Sequence, residues 1–160
     1  MNKKYNRRSL RLKHYNYSSA GLYFVTIATK HHTHYFGEII NQQLTLNDAG
    51  LMVANHYLNL AQNYAIETHE YVVMPNHFHA IIEVLPQNTL SLGEIIGAFK
   101  SLTTNEYIKG VKTKNFKPFD GRVWQRNFYE HVIRNEKSYF KLSEYIQNNP
   151  LVWEKDIFYC

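Results

Sequence analysis

The sequence has almost no cysteine: Cys160, its last residue, stands alone. A single thiol cannot close an internal disulfide, so a core must hold the fold, and the usage fits a reducing cytoplasm. Long apolar runs are also missing. No stretch approaches the ~20 residues a helix needs to span a bilayer. The N-terminus lacks the apolar centre of a signal peptide. Acidic residues are missing from one end of the chain. Between Met1 and Gly37 there are seven basic residues and no acid, whereas the remainder carries 11 basic and 13 acidic residues. The net charge of +5 is therefore a property of the N-terminal end. There Tyr5, Tyr15 and Tyr17 are interleaved with Arg7, Arg8, Arg11 and Lys13. Basic groups neutralise phosphates and aromatic rings stack on unpaired bases, so an arm at about residues 1–17 suits nucleic acid. A solvated tail is the alternative.

What remains is ordinary for a globular chain. With 160 residues, 44% of them hydrophobic and 15% aromatic, the sequence is long enough for one domain, 1–160, with a real core. No internal repeat, low-complexity segment or second domain is apparent.

The organising stretch runs from Glu70 to Val84 and reads as two strands around Pro75-Asn76. β-Branched Val72, Val73, Ile81, Ile82 and Val84 suit a pleated surface, and Pro75 presets a tight turn. Alternation places His77, His79, Ile81 and Glu83 on one face, and Phe78, Ala80, Ile82 and Val84 on the other. Imidazoles two residues apart on a strand stand roughly 6–7 Å apart and point the same way. They can converge on one ion, and the same spacing also describes two polar positions on an exposed strand face.

Taken in order, Leu22 to Ala28 is a strand, and His31, His32 and His34 fall in a polar connection. Phe36–Asn41 and Gln43–Leu46 make an accessory hairpin. Asn47 and Asp48 cap a helix with an apolar stripe at Leu51, Ala54, Leu58 and Ala61, ending near Tyr64. Ser91 and Glu94 have capping-box spacing. The helix they open holds Ile95, Ile96, Phe99 and Leu102 and runs to about Ile108, with Lys100 on its surface. Gly110–Gly121 is a basic loop and Phe128–Ile133 a strand. Asn135 caps a last helix that reaches Asn148 and stops before Pro150. Strand, helix, strand, strand, helix, strand is the ferredoxin-like βαββαβ order. It implies an α+β fold: a four-stranded antiparallel sheet with two helices on one face, and a C-terminal helix on the other. An RNA-recognition sheet is a poor match, because His-Phe-His does not resemble its stacking aromatics. On the last helix Tyr139, Leu142 and Ile146 mark the core face, while Tyr145 and Asn149, four apart, share a side. The alternative is that Asn149 simply caps the C-terminus of the helix.

Tyr71-Val72-Val73-Met74-Pro75-Asn76-His77-Phe78-His79 resembles the HUH motif of the single-tyrosine transposases. Its nearest likeness is to the REP-associated tyrosine transposases. Arg8–Leu12, Gly21–Thr26, Val123–Glu136 and Tyr145-Ile146-Gln147-Asn148-Asn149-Pro150 are similar to further segments of that family, in the same order. The resemblance implies an enzyme that cuts single-stranded DNA beside hairpins. Tyr145 would be the nucleophile, leaving a 5′-phosphotyrosine link, and a divalent metal, Mg²⁺ or Mn²⁺, would sit on His77, His79 and Asn149. Glu83 or water is an alternative to Asn149. Single-stranded or hairpin DNA would be the partner, for a monomer or homodimer associated with a bacterial nucleoid. Lys100, Arg126 and Arg134 are candidates for backbone contacts. The competing reading is a domesticated hairpin-binding protein without useful cleavage.

Overall fold

The computed structural model describes residues 20–160. The arm residues Arg7, Arg8, Arg11 and Lys13 lie outside the described residues. Strands β1 (Gly21–Ala28), β4 (Ile66–Met74), β5 (His77–Val84) and β6 (Tyr129–Ile133) form one antiparallel sheet in the order β4-β5-β1-β6. A separate hairpin pairs β2 (Gly37–Ile40) with β3 (Gln43–Leu46). Its two-residue turn, Asn41-Gln42, has positive φ at both positions, as the right-handed twist of a hairpin favours. This is the expected ferredoxin-like order, with the histidine strand central.

The sheet separates two apolar layers. Tyr23, Val25 and Ile27 of β1 join Phe78, Ala80, Ile82 and Val84 of β5 in the main core. Helices α1 (Asp48–Leu58) and α2 (Leu92–Thr113) cover that face with Met52, Val53, Ile95, Ile96 and Phe99. On the opposite face Phe24, Ile81 and Ile133 pack against Ile146 of α3 (Glu136–Asn148), flanked by Tyr139 and Leu142. Fully burying a side chain of this kind contributes about 1.5–3 kcal/mol. The second layer is small, yet it fixes α3 against the sheet.

The caps are where the sequence places them. Asn47 accepts from Gly50 N, Ser91 and Glu94 form a reciprocal capping box, and Asn135 accepts from Ser138 N. Four expectations need correction. In α1 the buried positions are Ala49, Met52, Val53, Ala54 and Tyr57, while Leu51 and Leu58 are 51% and 52% exposed. Tyr57 decides this rotation: its ring is buried and its hydroxyl donates to Ile81 O at 2.7 Å. The helix ends at Leu58, and a short 3₁₀ turn (Leu60–Gln62) follows. In α2, Leu102 is exposed and Thr103 is buried instead, accepting from Trp124 Nε1 at 2.9 Å. That helix runs on to Thr113, through a glycine. A Cβ on Gly110 would stand 2.1 Å from the Phe116 ring, so the missing side chain lets the following loop close on the helix.

Candidate active site

The tight turn Pro75-Asn76 sets up the site. Asn76 is fully buried, and its amide nitrogen donates to Phe158 O at 2.7 Å and His32 O at 3.2 Å. Two carbonyls facing the nitrogen fix the orientation of the amide. Asn76 Oδ1 must therefore accept, and its partner at 2.8 Å is His77 Nδ1. His77 thus carries its proton on Nδ1 and presents the Nε2 lone pair. One alternation step away, His79 Nδ1 lies 2.7 Å from Thr26 Oγ1 on β1, which is paired in register with it. Both Nε2 atoms are buried and without a hydrogen-bond partner, as is Asn149 Oδ1.

The two rings are 4.6 Å apart between centroids. They are 0% and 2% exposed, which corrects the expectation of an exposed strand face. Replacing both by alanine would therefore remove packing as well as ligands. Burial pushes the His77 pKa down to about 4, against the opposing pull of Asp156 and Asn149. Burial also lowers His79, with His77 adding to the effect. Both shifts favour the neutral imidazole over the charged one. The 3.8 Å approach of Asp156 Oδ2 to His77 Nε2 is accordingly not an ion pair.

The last helix delivers the remaining groups. Tyr139 anchors it at the sheet edge, where its hydroxyl donates to Glu70 at 2.8 Å and lies 3.2 Å from His69 Nδ1. Glu83 is engaged there too, 3.0 Å from His69 Nε2, and so lies away from the histidine pair. Further along α3, the Tyr145 ring meets His79 edge-on at 5.3 Å and Phe24 at 6.1 Å, within the same chain. Tyr145 is 41% exposed and lines a groove of about 540 Å³ with Phe24, Asn127, Phe128 and Tyr129. Burial and then Asp156 raise its hydroxyl above the usual phenol range, while Asn149 lowers it. Asn149, just past α3, is fully buried between these groups. Its amide nitrogen donates to Asp156 Oδ2 at 3.2 Å.

Sequence reasoning missed the segment after the last helix. A 3₁₀ stretch, Asn149–Lys155, turns the chain back so that Asp156 enters the site and Phe158 stacks on His77 at 4.4 Å. The only signal was the mixture of Trp153, Asp156 and Phe158 itself, which has no periodicity. Of the DNA candidates, Lys100 spends its amine on the carbonyls of Gln125, Arg126 and Asn127, at 2.8, 3.1 and 3.2 Å. It holds the loop beside the groove instead of projecting into solvent. Arg126 is exposed on that loop, close to Arg122 and Lys30, a basic grouping that spacing did not reveal. Arg134 follows Ile133, which pairs with Leu22, whereas His77 pairs with Ala28. Six residues along a strand are roughly 20 Å, so Arg134 stands at the far end of the sheet.

A ferredoxin-like sheet whose α3-covered face carries two buried histidines, with a tyrosine from the covering helix beside them, defines a transposase-class chain. Residues 19–149 match the family described as "Transposase IS200 like", and the chain belongs to that family. A Haemophilus influenzae protein without an assigned function is 44% identical, with 99% of each chain covered. The REP-associated tyrosine transposase of Escherichia coli K12 is 28% identical over 66% of this chain and 58% of its own length. A solved structure of a REP-associated tyrosine transposase bound to a REP hairpin superposes with a TM-score of 0.65 at 20% identity. That superposition covers 88% of this chain and 73% of the other. Among the described residues, no helix is long and apolar enough to cross a membrane.

Proposed function

We propose that this protein nicks and rejoins single-stranded DNA beside hairpins, with Tyr145 as the nucleophile. The observation that carries the reading is the edge-on contact of Tyr145 with His79, next to two buried and unpartnered imidazole nitrogens. Such nitrogens are costly unless something occupies them. His77 Nε2, His79 Nε2 and Asn149 Oδ1 would hold a divalent cation, Mg²⁺ or Mn²⁺. When bound, that ion supplies Lewis-acid polarisation of the scissile phosphate and charge for the departing oxygen.

The chain's own groups account for the rest. A Tyr145 hydroxyl held above its usual pKa is a phenol in the resting protein, so its proton leaves to solvent as the bond forms. Tyr145 Oη joins phosphorus, the P–O3′ bond breaks and the departing O3′ takes a proton from solvent, giving a 5′-phosphotyrosine and a free 3′-hydroxyl. The covalent link retains the bond, so another 3′-hydroxyl can reverse the step and join strands. Asn76 and Thr26 hold the two imidazoles in orientation. Arg126, with Arg122 and Lys30, offers a phosphate surface beside the groove. One chain contains every group named.

The test is Tyr145→Phe against wild type, incubated with hairpin-bearing single-stranded oligonucleotides and Mg²⁺ or Mn²⁺. Wild type should give a covalent adduct on a denaturing gel, and the variant should bind hairpins but give none. An adduct with the variant would move the nucleophile elsewhere. A second reading, hairpin binding without useful cleavage, is favoured by Phe158, whose ring covers His77. Tight binding by wild type with no adduct in either metal would establish it.

A further inference from the structure

We propose that Asp156 is a ligand of the same metal site, which makes the donor set two imidazoles, one amide oxygen and one carboxylate. This inference rests on the reading of His77 and His79 as metal ligands. Asp156 lies beyond residue 149, outside the stretch that matches the family.

The donor geometry comes first. A carboxylate oxygen of Asp156, a His77 nitrogen and a His79 nitrogen all lie within 4.8 Å of one another. Donors bound at ~2.1 Å to one ion stand about 3–4 Å apart, so small side-chain rotations close the set. Charge is the second argument. The Asp156 side chain is only 2% exposed, and among the described residues no Lys or Arg pairs with it. Its contacts are Asn149 Nδ2 at 3.2 Å, Phe158 N at 2.8 Å and His77 Nε2 at 3.8 Å. A buried carboxylate without a countercharge is expensive. Facing two inward-turned imidazole nitrogens, it completes a buried set of donors suited to a divalent cation.

Asn149 also gains a definite role. With its nitrogen on Asp156 and its Oδ1 unpartnered, it orients the carboxylate and still offers an oxygen to the ion. Outer hydrogen bonds of this kind commonly orient metal-binding side chains. A six-coordinate ion with four protein donors keeps two positions for phosphate oxygens. The carboxylate also biases the site toward Mg²⁺ or Mn²⁺ over softer ions.

The test is Mn²⁺ titration of the full chain without DNA, read by calorimetry and by the electron paramagnetic resonance of free Mn²⁺. Wild type, His77→Ala, Asp156→Asn and Asp156→Cys are compared. Glu83→Gln is the control, because Glu67, His69 and Glu83 form a second, more exposed group able to hold an ion. The expected result is one site in wild type, lost in His77→Ala, unchanged in Glu83→Gln and weakened at least tenfold in Asp156→Asn. Asp156→Cys should shift preference from Mn²⁺ toward Cd²⁺, a change that a merely structural aspartate cannot produce. Circular dichroism checks that each variant is folded, and if Asp156→Asn is not, the Cys variant decides. If His77→Ala loses the ion while both Asp156 variants keep wild-type affinity and preference, the ligand role of Asp156 is wrong and the histidine site stands. If wild type binds no Mn²⁺, or His77→Ala binds it unchanged, the histidine site falls and this inference with it.

Discussion

Thr26→Val removes one oxygen from the middle of the sheet. Thr26 is buried in β1, and Oγ1 lies 2.7 Å from His79 Nδ1. Valine has nearly the same shape and a stronger preference for strands, so packing changes little. What changes is that Nδ1 of a buried imidazole loses its partner. Leaving a buried polar atom unsatisfied costs about 1–3 kcal/mol. For a chain of this size each kcal/mol lowers Tm by about 2–4 °C, so thermal unfolding without metal should show a fall of roughly 2–12 °C. The second effect is on the tautomer. In the proposed site Nδ1–H donates to Oγ1 and leaves Nε2 free. Without that acceptor the proton can occupy Nε2, and metal affinity should drop about 10–100-fold. Calorimetric Mn²⁺ titration measures this, and nitrogen NMR of the His79 ring reads the tautomer directly. If wild-type His79 carries its proton on Nε2, or if Thr26→Val keeps full Mn²⁺ affinity despite the lower Tm, the reasoning fails.

Other perturbations follow from the same geometry. His77 and His79 are bases with depressed folded pKa values, so the unfolded chain binds more protons below its ordinary value of 6.5. Stability should be flat above about pH 6.5 and fall as pH drops toward 4, by about 1.4 kcal/mol per pH unit per histidine. Urea midpoints that match at pH 7.5 and pH 5 would contradict the burial of the pair. Lys100→Met should free the 125–127 backbone and raise trypsin cleavage after Arg126 severalfold, with a stability loss of about 1 kcal/mol; an unchanged digestion rate would mean the loop holds itself. Deleting residues 1–13 should weaken hairpin binding and flatten its salt dependence by about 0.7–0.9 per lost phosphate contact. An identical slope would show that the arm does not touch DNA.

The sequence made local features legible and distant ones opaque. The alternation of His77, Phe78, His79 and Ala80 assigned faces correctly, because strand geometry depends on nothing but neighbours. Asn47, Ser91 and Asn135 were readable as caps for the same reason. The stripe in α1 misled, since Leu51 and Leu58 have helical spacing but the buried face is set by Tyr57 reaching Ile81 O across the fold. Lys100 looked like a surface charge because its three carbonyl partners lie 25 to 27 residues away. Asp156 was invisible for a similar reason. It follows an irregular turn with no periodicity, and only the return of the chain toward Asn76 brings it to the histidines.

The alternation of β5 has a consequence for motion. One strand sends His77, His79 and Ile81 to one side and Phe78, Ala80 and Ile82 into the main core. A slip by one residue would put both imidazoles among the apolar side chains and Phe78, Ala80 and Ile82 on the groove side. The site therefore cannot breathe independently of the core. Its backbone amides should exchange with solvent only through global unfolding, whereas Tyr145, on a helix held by a small apolar layer, belongs to a looser unit.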